Sequence, residues 1–348
     1  MSQPEIRIDQ LTGLRTILAP GRAERPDAFV PEAAVSRPDA AASCPFCEGR
    51  EDRTPPEVWV SREGSPPDGP GWRARVVPNL YPVLEREEPP GRLETAVSSE
   101  ADPLADSRRE QQPDMFRAIP ASGAHEVIVH TPRHVTSMAE LDESEFAVAV
   151  ASWRERMRTH ADDSSYVHLI VNEGPEAGAS LEHTHAQLYG LRFVPVAIAR
   201  ERERTSAYHR RTMGAHLLGD VVVEEVRRRE RLVAIDDEAA LIAPWASRSP
   251  FELRVVPRRP ASSFERDGDV GTAMVRRAFE GLRRLFGSPP QGNLWIRTAP
   301  RGSDEFCWHV DILPRLTIRA GFELGAGVDV NIYPPERAAS DLREALSD

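Results

Sequence analysis

Residues 180–190 read SLEHTHAQLYG, placing His183 and His185 two apart, with Ser180 before them and Gln187 after. Successive side chains of a strand alternate between faces. In an extended segment, both imidazoles and the Gln187 amide would therefore point to one side. A neutral imidazole nitrogen can attack an electrophile or bind a metal; the plainer alternative is a histidine pair on a solvated strand face. A second candidate is CPFC, which brings Cys44 and Cys47 together. That spacing fits half a zinc site, a redox pair or chance.

Composition narrows the chemistry. Only three cysteines occur in 348 residues, too few for a disulfide scaffold. All 44 basic residues are arginine. That rules out a Schiff-base lysine and a phosphate loop ending in Lys, leaving arginine forks to hold any anion. The net charge of −11 gives no uniformly basic surface, so a small substrate is expected and nucleic acid is not. No apolar run reaches the roughly 20 residues that span a bilayer, and the start MSQPEIRIDQ lacks signal-peptide features. A cytoplasmic location and no membrane partner are the expectations.

Several elements must position these groups. RIDQLTGLRTILAP reads as a short strand pair, and residues 50–70, rich in Pro, Gly and charge, read as loop. WRARVVPNLYPVL reads as a strand running into a proline turn. Residues 85–122 are charged and poor in large apolar groups, the pattern of a mobile insertion. HEVIVHTP then gives a strand, MAELDESEFAVAVASWRERMRTH an amphipathic helix with Asp142 or Glu143 in its first turn, and YVHLIVNEG a strand before the histidine segment. The order recurs in SPFELRVVPRRP, VGTAMVRRAFEGLRRLF, NLWIRTAPRG and FCWHVDIL. Pro132 and Pro257 lie 125 positions apart, and His185 and His309 lie 124 apart. These offsets suggest a duplicated unit of about 120 residues.

Six blocks carry a resemblance: LTGLRTILAPGRAERP, CPFCEGREDRTPPEV, VVPNLYP, HEVIVHTPRHVTSMAEL, NEGPEAGASLEHTHAQ, and ILPRLTIRAGFELGAG with PPERAA. In this order they resemble the galactose-1-phosphate uridylyltransferase family of the histidine-triad superfamily over nearly the whole chain. The resemblance implies an α+β fold of two histidine-triad-like halves, antiparallel sheets with packed helices. Residues 1–195 would hold the zinc site and nucleophile, and residues 196–348 would form a degenerate, sugar-contacting half.

His185 matches the family nucleophile, which implies ping-pong transfer through a nucleotidyl-histidine. Uridine monophosphate is the default cargo, moved between a nucleotide sugar and a sugar 1-phosphate. Gln187 stands where hydrolase branches carry a third histidine; an amide can hold a phosphoryl oxygen but cannot protonate a leaving group, which favours transfer or phosphorolysis over hydrolysis. Ser180 matches a phosphate-binding serine. Arg22, Arg25, Asn79, Asn172, Gly178 and Glu323 match substrate contacts: phosphates for the arginines, the nucleoside for Asn79, a phosphate-facing loop for Asn172 and Gly178, and sugar hydroxyls for Glu323. Cys44, Cys47, His134 and His183 match a structural zinc site.

The pattern also differs in places. Thr184 replaces the proline usual between the two histidines. Glu201 and His309 match two ligands of a second metal, but Arg297 and Cys307 occupy the other two places and an arginine does not ligate metal, so a second metal is not expected. Leu80 and Asp329 also differ, leaving base and sugar open. The resemblance implies a homodimer. A phosphorylase acting on ADP-glucose or a dinucleoside polyphosphate is an alternative activity, and a non-catalytic zinc-stabilised nucleotide-binding protein is another.

Overall fold

The structure, a computed structural model, describes residues 3–24, 40–64, 66–85 and 120–347. Most of the segment 85–122 read above as an insertion, and Arg25, fall outside the described residues. The chain begins with β1 (Glu5–Ile8) and β2 (Arg15–Leu18), continues through a short α1 (Ala40–Ser43), and enters the main sheet with β3 (Trp59–Arg62), β4 (Trp72–Pro78) and β5 (Gly123–Val129). Next come α2 (Glu143–Ala161), β6 (Tyr166–Glu173) and β7 (His185–Leu191). Helices α3 (Val196–Thr212) and α4 (Leu217–Arg228) precede β8 (Leu232–Ile235), β9 (Ala239–Ile242) and β10 (Leu253–Pro257). The chain ends with α5 (Thr272–Phe286), β11 (Gly292–Arg297), β12 (His309–Pro314), α6 (Gly321–Ala326), β13 (Asp329–Asn331) and α7 (Pro335–Ser347).

The expected α+β class holds, with one difference of architecture. Two antiparallel sheets were anticipated, yet the strands form one ten-stranded sheet in the order β3-β4-β5-β7-β6-β11-β12-β10-β9-β8. All its pairings are antiparallel, and the join is the β6–β11 ladder, where Asn172 faces Asn293 and Ile170 faces Trp295. The order is palindromic about that join: β5-β7-β6 on one side mirrors β10-β12-β11 on the other. Fusing two sheets along exposed edges satisfies the backbone groups those edges would leave unpaired. A separate three-stranded sheet, β1-β2-β13, completes the strands. Residues 50–70 are not all loop: β3 pairs with β4, so tertiary pairing overrides a local sequence rich in turn formers.

The alternation of β6 and β7 assigns the two faces of the sheet. Val167, Leu169 and Val171 of β6, and Ala186 and Leu188 of β7, are buried under α2. Phe146, Trp153 and Met157 of that helix fill the same core, as Met274, Val275 and Leu282 of α5 do beneath the second half. Asp142 is the N-cap of α2: its side chain accepts from Glu145 N at 2.8 Å, while Glu145 reaches back to Asp142 N at 3.0 Å. The opposite face carries His185, Gln187 and Tyr189 of β7, then His168 and Asn172 of β6, Asn293, Trp295 and Arg297 of β11, and His309 and Asp311 of β12. Among the described residues, no helix is long and apolar enough to cross a membrane.

Candidate active site and metal centre

The CPFC loop is folded against the turn after β5. Glu48 N donates to Pro132 O at 3.2 Å, and Arg50 holds Cys44 O at 2.9 Å. As a result His134 and His183 meet both sulfurs. Cys44 Sγ lies 3.5 Å from His183 Nδ1, Cys47 Sγ lies 3.7 Å from the same nitrogen, and His134 Nδ1 is 3.4 Å from Cys47 Sγ. With zinc–sulfur and zinc–nitrogen bonds of about 2.3 and 2.05 Å, a tetrahedral site has sulfur–nitrogen edges of about 3.6 Å. The donor set therefore already has the dimensions of a zinc site. His183 Nε2–H donates to Thr131 O at 2.8 Å, which fixes the tautomer that leaves Nδ1 free to ligate. Without a cation, burial and the neighbouring Cys44 push the Cys47 thiol up to about 11, a cost that metal binding reverses. These four are the one cluster among the described residues with metal-ligand geometry.

His185 opens β7 and is buried. Its Nδ1–H donates to His183 O at 2.7 Å, and burial lowers its pKa. A neutral ring with the proton on Nδ1 carries its lone pair on Nε2. The Phe46 ring packs edge-on against this imidazole at 5.2 Å, so the cysteine loop shapes the nucleophile's pocket as well as the metal site.

Behind the nucleophile runs a polar chain that sequence reasoning did not find. Trp153 Nε1–H donates to His130 Nε2 at 3.0 Å, which leaves the proton on His130 Nδ1 to bond Thr184 Oγ1 at 3.0 Å. The Thr184 hydroxyl then donates to Glu173 Oε1 at 3.2 Å. Glu173 also accepts from Ser137 Oγ and Met138 N, both at 2.6 Å. Burial nevertheless raises its pKa to about 7. Thr184 N donates to Val135 O at 2.8 Å. The 183–184 peptide is thus pinned on its N–H side, and its carbonyl holds His185. A proline in this position has no N–H to form that bond.

Gln187 sits two residues along the same face. Val83 N donates to His125 Nδ1 at 3.2 Å, so His125 carries its proton on Nε2 and donates it to Gln187 Oε1 at 3.1 Å. Tyr189 OH donates to the same oxygen at 2.8 Å. With its carbonyl doubly occupied, Gln187 turns its amide NH₂ outward. His125 and Tyr189, which sequence reasoning missed, set this orientation; their signal is the β5–β7 register, in which they are direct partners. Asn79 N donates to His125 O at 2.9 Å, which ties the VVPNLYP turn to the same group; the Asn79 Nδ2 contact with His125 Nε2 at 3.0 Å sets two donors side by side and is no hydrogen bond.

The other expected residues divide. Asn172 belongs to the site: the antiparallel register that pairs Val171 with Ala186 sets it opposite His185 on the same face. Gly178 has φ 83° and ends a turn in which its N–H bonds Pro175 O, so its amide serves the loop. Gly174 has φ 83° as well, and a Cβ there would lie 2.4 Å from the Gln291 side chain. Ser180 is exposed on the loop before β7, and Arg22 is exposed after β2. Glu323 accepts the Ala320 N–H at 3.0 Å at the start of α6; among the described residues no hydrogen bond ties it to the His185 row of its own chain.

In the second half, His309 occupies the place of His185, but its surroundings differ. Arg297 Nη1 lies 3.6 Å from Glu201 Oε2, and His309 Nδ1 lies 3.7 Å from Glu201 Oε1. Cys307 Sγ points to Trp308 O at 3.7 Å. A guanidinium thus stands beside Glu201 and His309. Asp311 Oδ2 lies 3.9 Å from His309 Nε2, but its carboxylate is bonded to Arg254, and among the described residues no third donor joins Glu201 and His309 in metal-ligand geometry. The donor set does not fit a second metal.

Comparison with known proteins agrees with this geometry. Residues 95–195 match the family of the galactose-1-phosphate uridyl transferase N-terminal domain. The chain is 28% identical to ADP-glucose phosphorylase of Arabidopsis thaliana over 98% of this chain and 93% of that one. It is 30% identical to galactose-1-phosphate uridylyltransferase of Streptomyces lividans over 64% of this chain and 69% of that one. The crystal structure of the Arabidopsis ADP-glucose phosphorylase with bound ADP-glucose superposes with a TM-score of 0.76 at 26% identity, covering 99% of both chains. By these similarities and its site, the chain belongs to the galactose-1-phosphate uridylyltransferase family and is an enzyme of the nucleotidyl-transfer type.

Proposed function

We propose that the protein moves a nucleoside monophosphate from a nucleotide sugar to a second phosphate through a nucleotidyl-His185 intermediate. The observation that carries this reading is the His185 ring: neutral, with its Nδ1 proton given to the His183 carbonyl and its Nε2 lone pair available. Nε2 attacks the phosphorus next to the nucleoside, the bond to the distal phosphate oxygen breaks, and the sugar 1-phosphate leaves with that electron pair. The Nδ1 proton stays where it is, so no general acid is needed. The acceptor phosphate then reverses the displacement. The outward NH₂ of Gln187 can donate to the phosphoryl oxygen in both steps, and an amide there gives water no proton shuttle. Ser180, Arg22 and Arg25 complete the proposed substrate contacts, with Asn79 toward the nucleoside. Zinc on Cys44, Cys47, His134 and His183 would contribute folding energy and fix the strand that aims His185.

Uridine as base and a sugar 1-phosphate as acceptor is the first reading. A second, with ADP-glucose as donor and inorganic phosphate as acceptor, is favoured by the end-to-end similarity to the Arabidopsis phosphorylase. In both readings residues 1–195 carry the nucleophile and residues 196–348 support it. In both, Glu323 would serve the site of a second copy, a role consistent with the exposed Phe322 and Leu324 on α6. The test is intact-protein mass after mixing with UDP-glucose or ADP-glucose. A gain of one nucleoside monophosphate in wild type, absent in His185→Ala, is the expected result and identifies the base. No adduct with either donor in zinc-loaded, folded protein would overturn the reading.

A further inference from the structure

Arg315 follows β12 and is half-buried. Its Nε donates to Asn293 Oδ1 at 2.6 Å. Asn293 Nδ2 then donates to Asn172 Oδ1 at 2.7 Å and to Ala177 O at 2.8 Å. Both ends of the Asn293 amide are thereby used, and Asn172 is turned so that its own NH₂ faces away from Asn293. Among the described residues nothing accepts from that NH₂. Three hydrogen-bonded side chains therefore step from the strand beside His185 to a guanidinium two strand spacings away, about 10 Å.

The charges around Arg315 are unbalanced. Burial, Arg319 and Arg248 all lower its pKa, and Glu176 is the one carboxylate whose field opposes them. Arg248 is bonded to Glu252 and Arg319 to Asp329 at 2.7 Å. Arg315 has no carboxylate partner among the described residues. A half-buried guanidinium bonded to an amide and flanked by two other cations bears a desolvation cost that an anion would offset. Its free Nη groups form the planar fork suited to phosphate.

We infer that Arg315, held by Asn293, binds the distal phosphate: the one that leaves with the sugar and enters with the acceptor. This rests on the nucleotidyl-transfer reading. It gives the second half of the chain a direct part in the reaction, since the cation comes from the β11–β12 side and the nucleophile from β7. The class of ligand is a phosphate monoester or inorganic phosphate.

The experiment compares wild type, Arg315→Gln and Arg315→Lys in steady state, with UDP-glucose and ADP-glucose as donors and either galactose 1-phosphate or inorganic phosphate as acceptor. Removing one charge-assisted phosphate contact that is equal in ground and transition states raises KM with kcat largely kept. Arg315→Gln is expected to raise KM for donor and acceptor roughly ten- to a hundred-fold and to change kcat less than about three-fold. Arg315→Lys, which keeps the charge but loses the fork, should recover part of the loss. The two acceptor arms identify the source of the phosphate. Unchanged KM values, or a collapse of kcat at unchanged KM, would overturn the assignment. If Arg315→Gln proves poorly folded, phosphate-induced thermal stabilisation of wild type against Arg315→Lys decides instead: equal shifts would count against it. Absence of any nucleotidyl-His185 in wild type would be a failure of the parent reading, distinct from these.

Discussion

Substituting Thr184 by Val tests whether the polar chain behind His185 holds the nucleophile. Valine keeps the shape and the Thr184 N–H bond to Val135 but deletes the hydroxyl that accepts from His130 and donates to Glu173. His130 is fully buried and would be left with an unpaired N–H, costing about 1–3 kcal/mol. Glu173 keeps its bonds from Ser137 and Met138, so its loss is a single donor of about 1 kcal/mol net. The sum is about 2–4 kcal/mol. It should be read as a lower denaturation midpoint at unchanged zinc content, together with slower nucleotidylation of His185, because the hydroxyl's bonds to His130 and Glu173 hold residue 184 from its side chain and residue 184 adjoins the His183 carbonyl that orients the ring. Thr184→Ser keeps the hydroxyl, gives up one methyl, and should recover most of both effects. If valine is no more destabilising than serine, and nucleotidylation is equally fast in the two, the chain of bonds does not position His185.

Three further outcomes are expected. Removing one zinc ligand with Cys44→Ala, or stripping the metal with a chelator, should lower the thermal midpoint and abolish nucleotidylation together, and metal analysis of wild type should give one zinc per chain; two would contradict the Arg297–Glu201 pairing. Glu126 is buried, which opposes ionisation, but His160 and Arg156 hold its carboxylate down to about 2. The folded pKa thus lies below the unfolded value near 4.5, so the stabilisation, about 3 kcal/mol at 1.36 kcal/mol per unit, is complete above that value and is lost as pH falls toward 2. Thermal melts of wild type and Glu126→Gln should converge across that window, and a constant difference would count against the linkage. Tyr189→Phe removes one of the two donors on Gln187 Oε1 and should slow nucleotidylation roughly two- to ten-fold, measured by rapid-quench mass analysis; an unchanged rate would show that His125 alone orients the amide.

The amino-acid sequence by itself determined the succession of strands and helices, the repeat behind the palindromic strand order, and the His183–His185–Gln187 face, because strand alternation and helix amphipathicity are local properties of residue order; the α+β class came with the family resemblance. The sequence also paired Cys44 and Cys47 with His134 and His183, but only through the family resemblance, since ligands 136 positions apart have no local periodicity. Tertiary structure decided the rest. Joining two sheets at β6–β11 depends on which edges meet, and β3 exists because β4 is there to pair with it. The partners of Gln187, the lock on Thr184 and the amide chain from Asn172 to Arg315 all form across strands or between a helix and the sheet. Hydrogen bonds of that kind are fixed by register and packing, and neither is written in any one stretch of sequence.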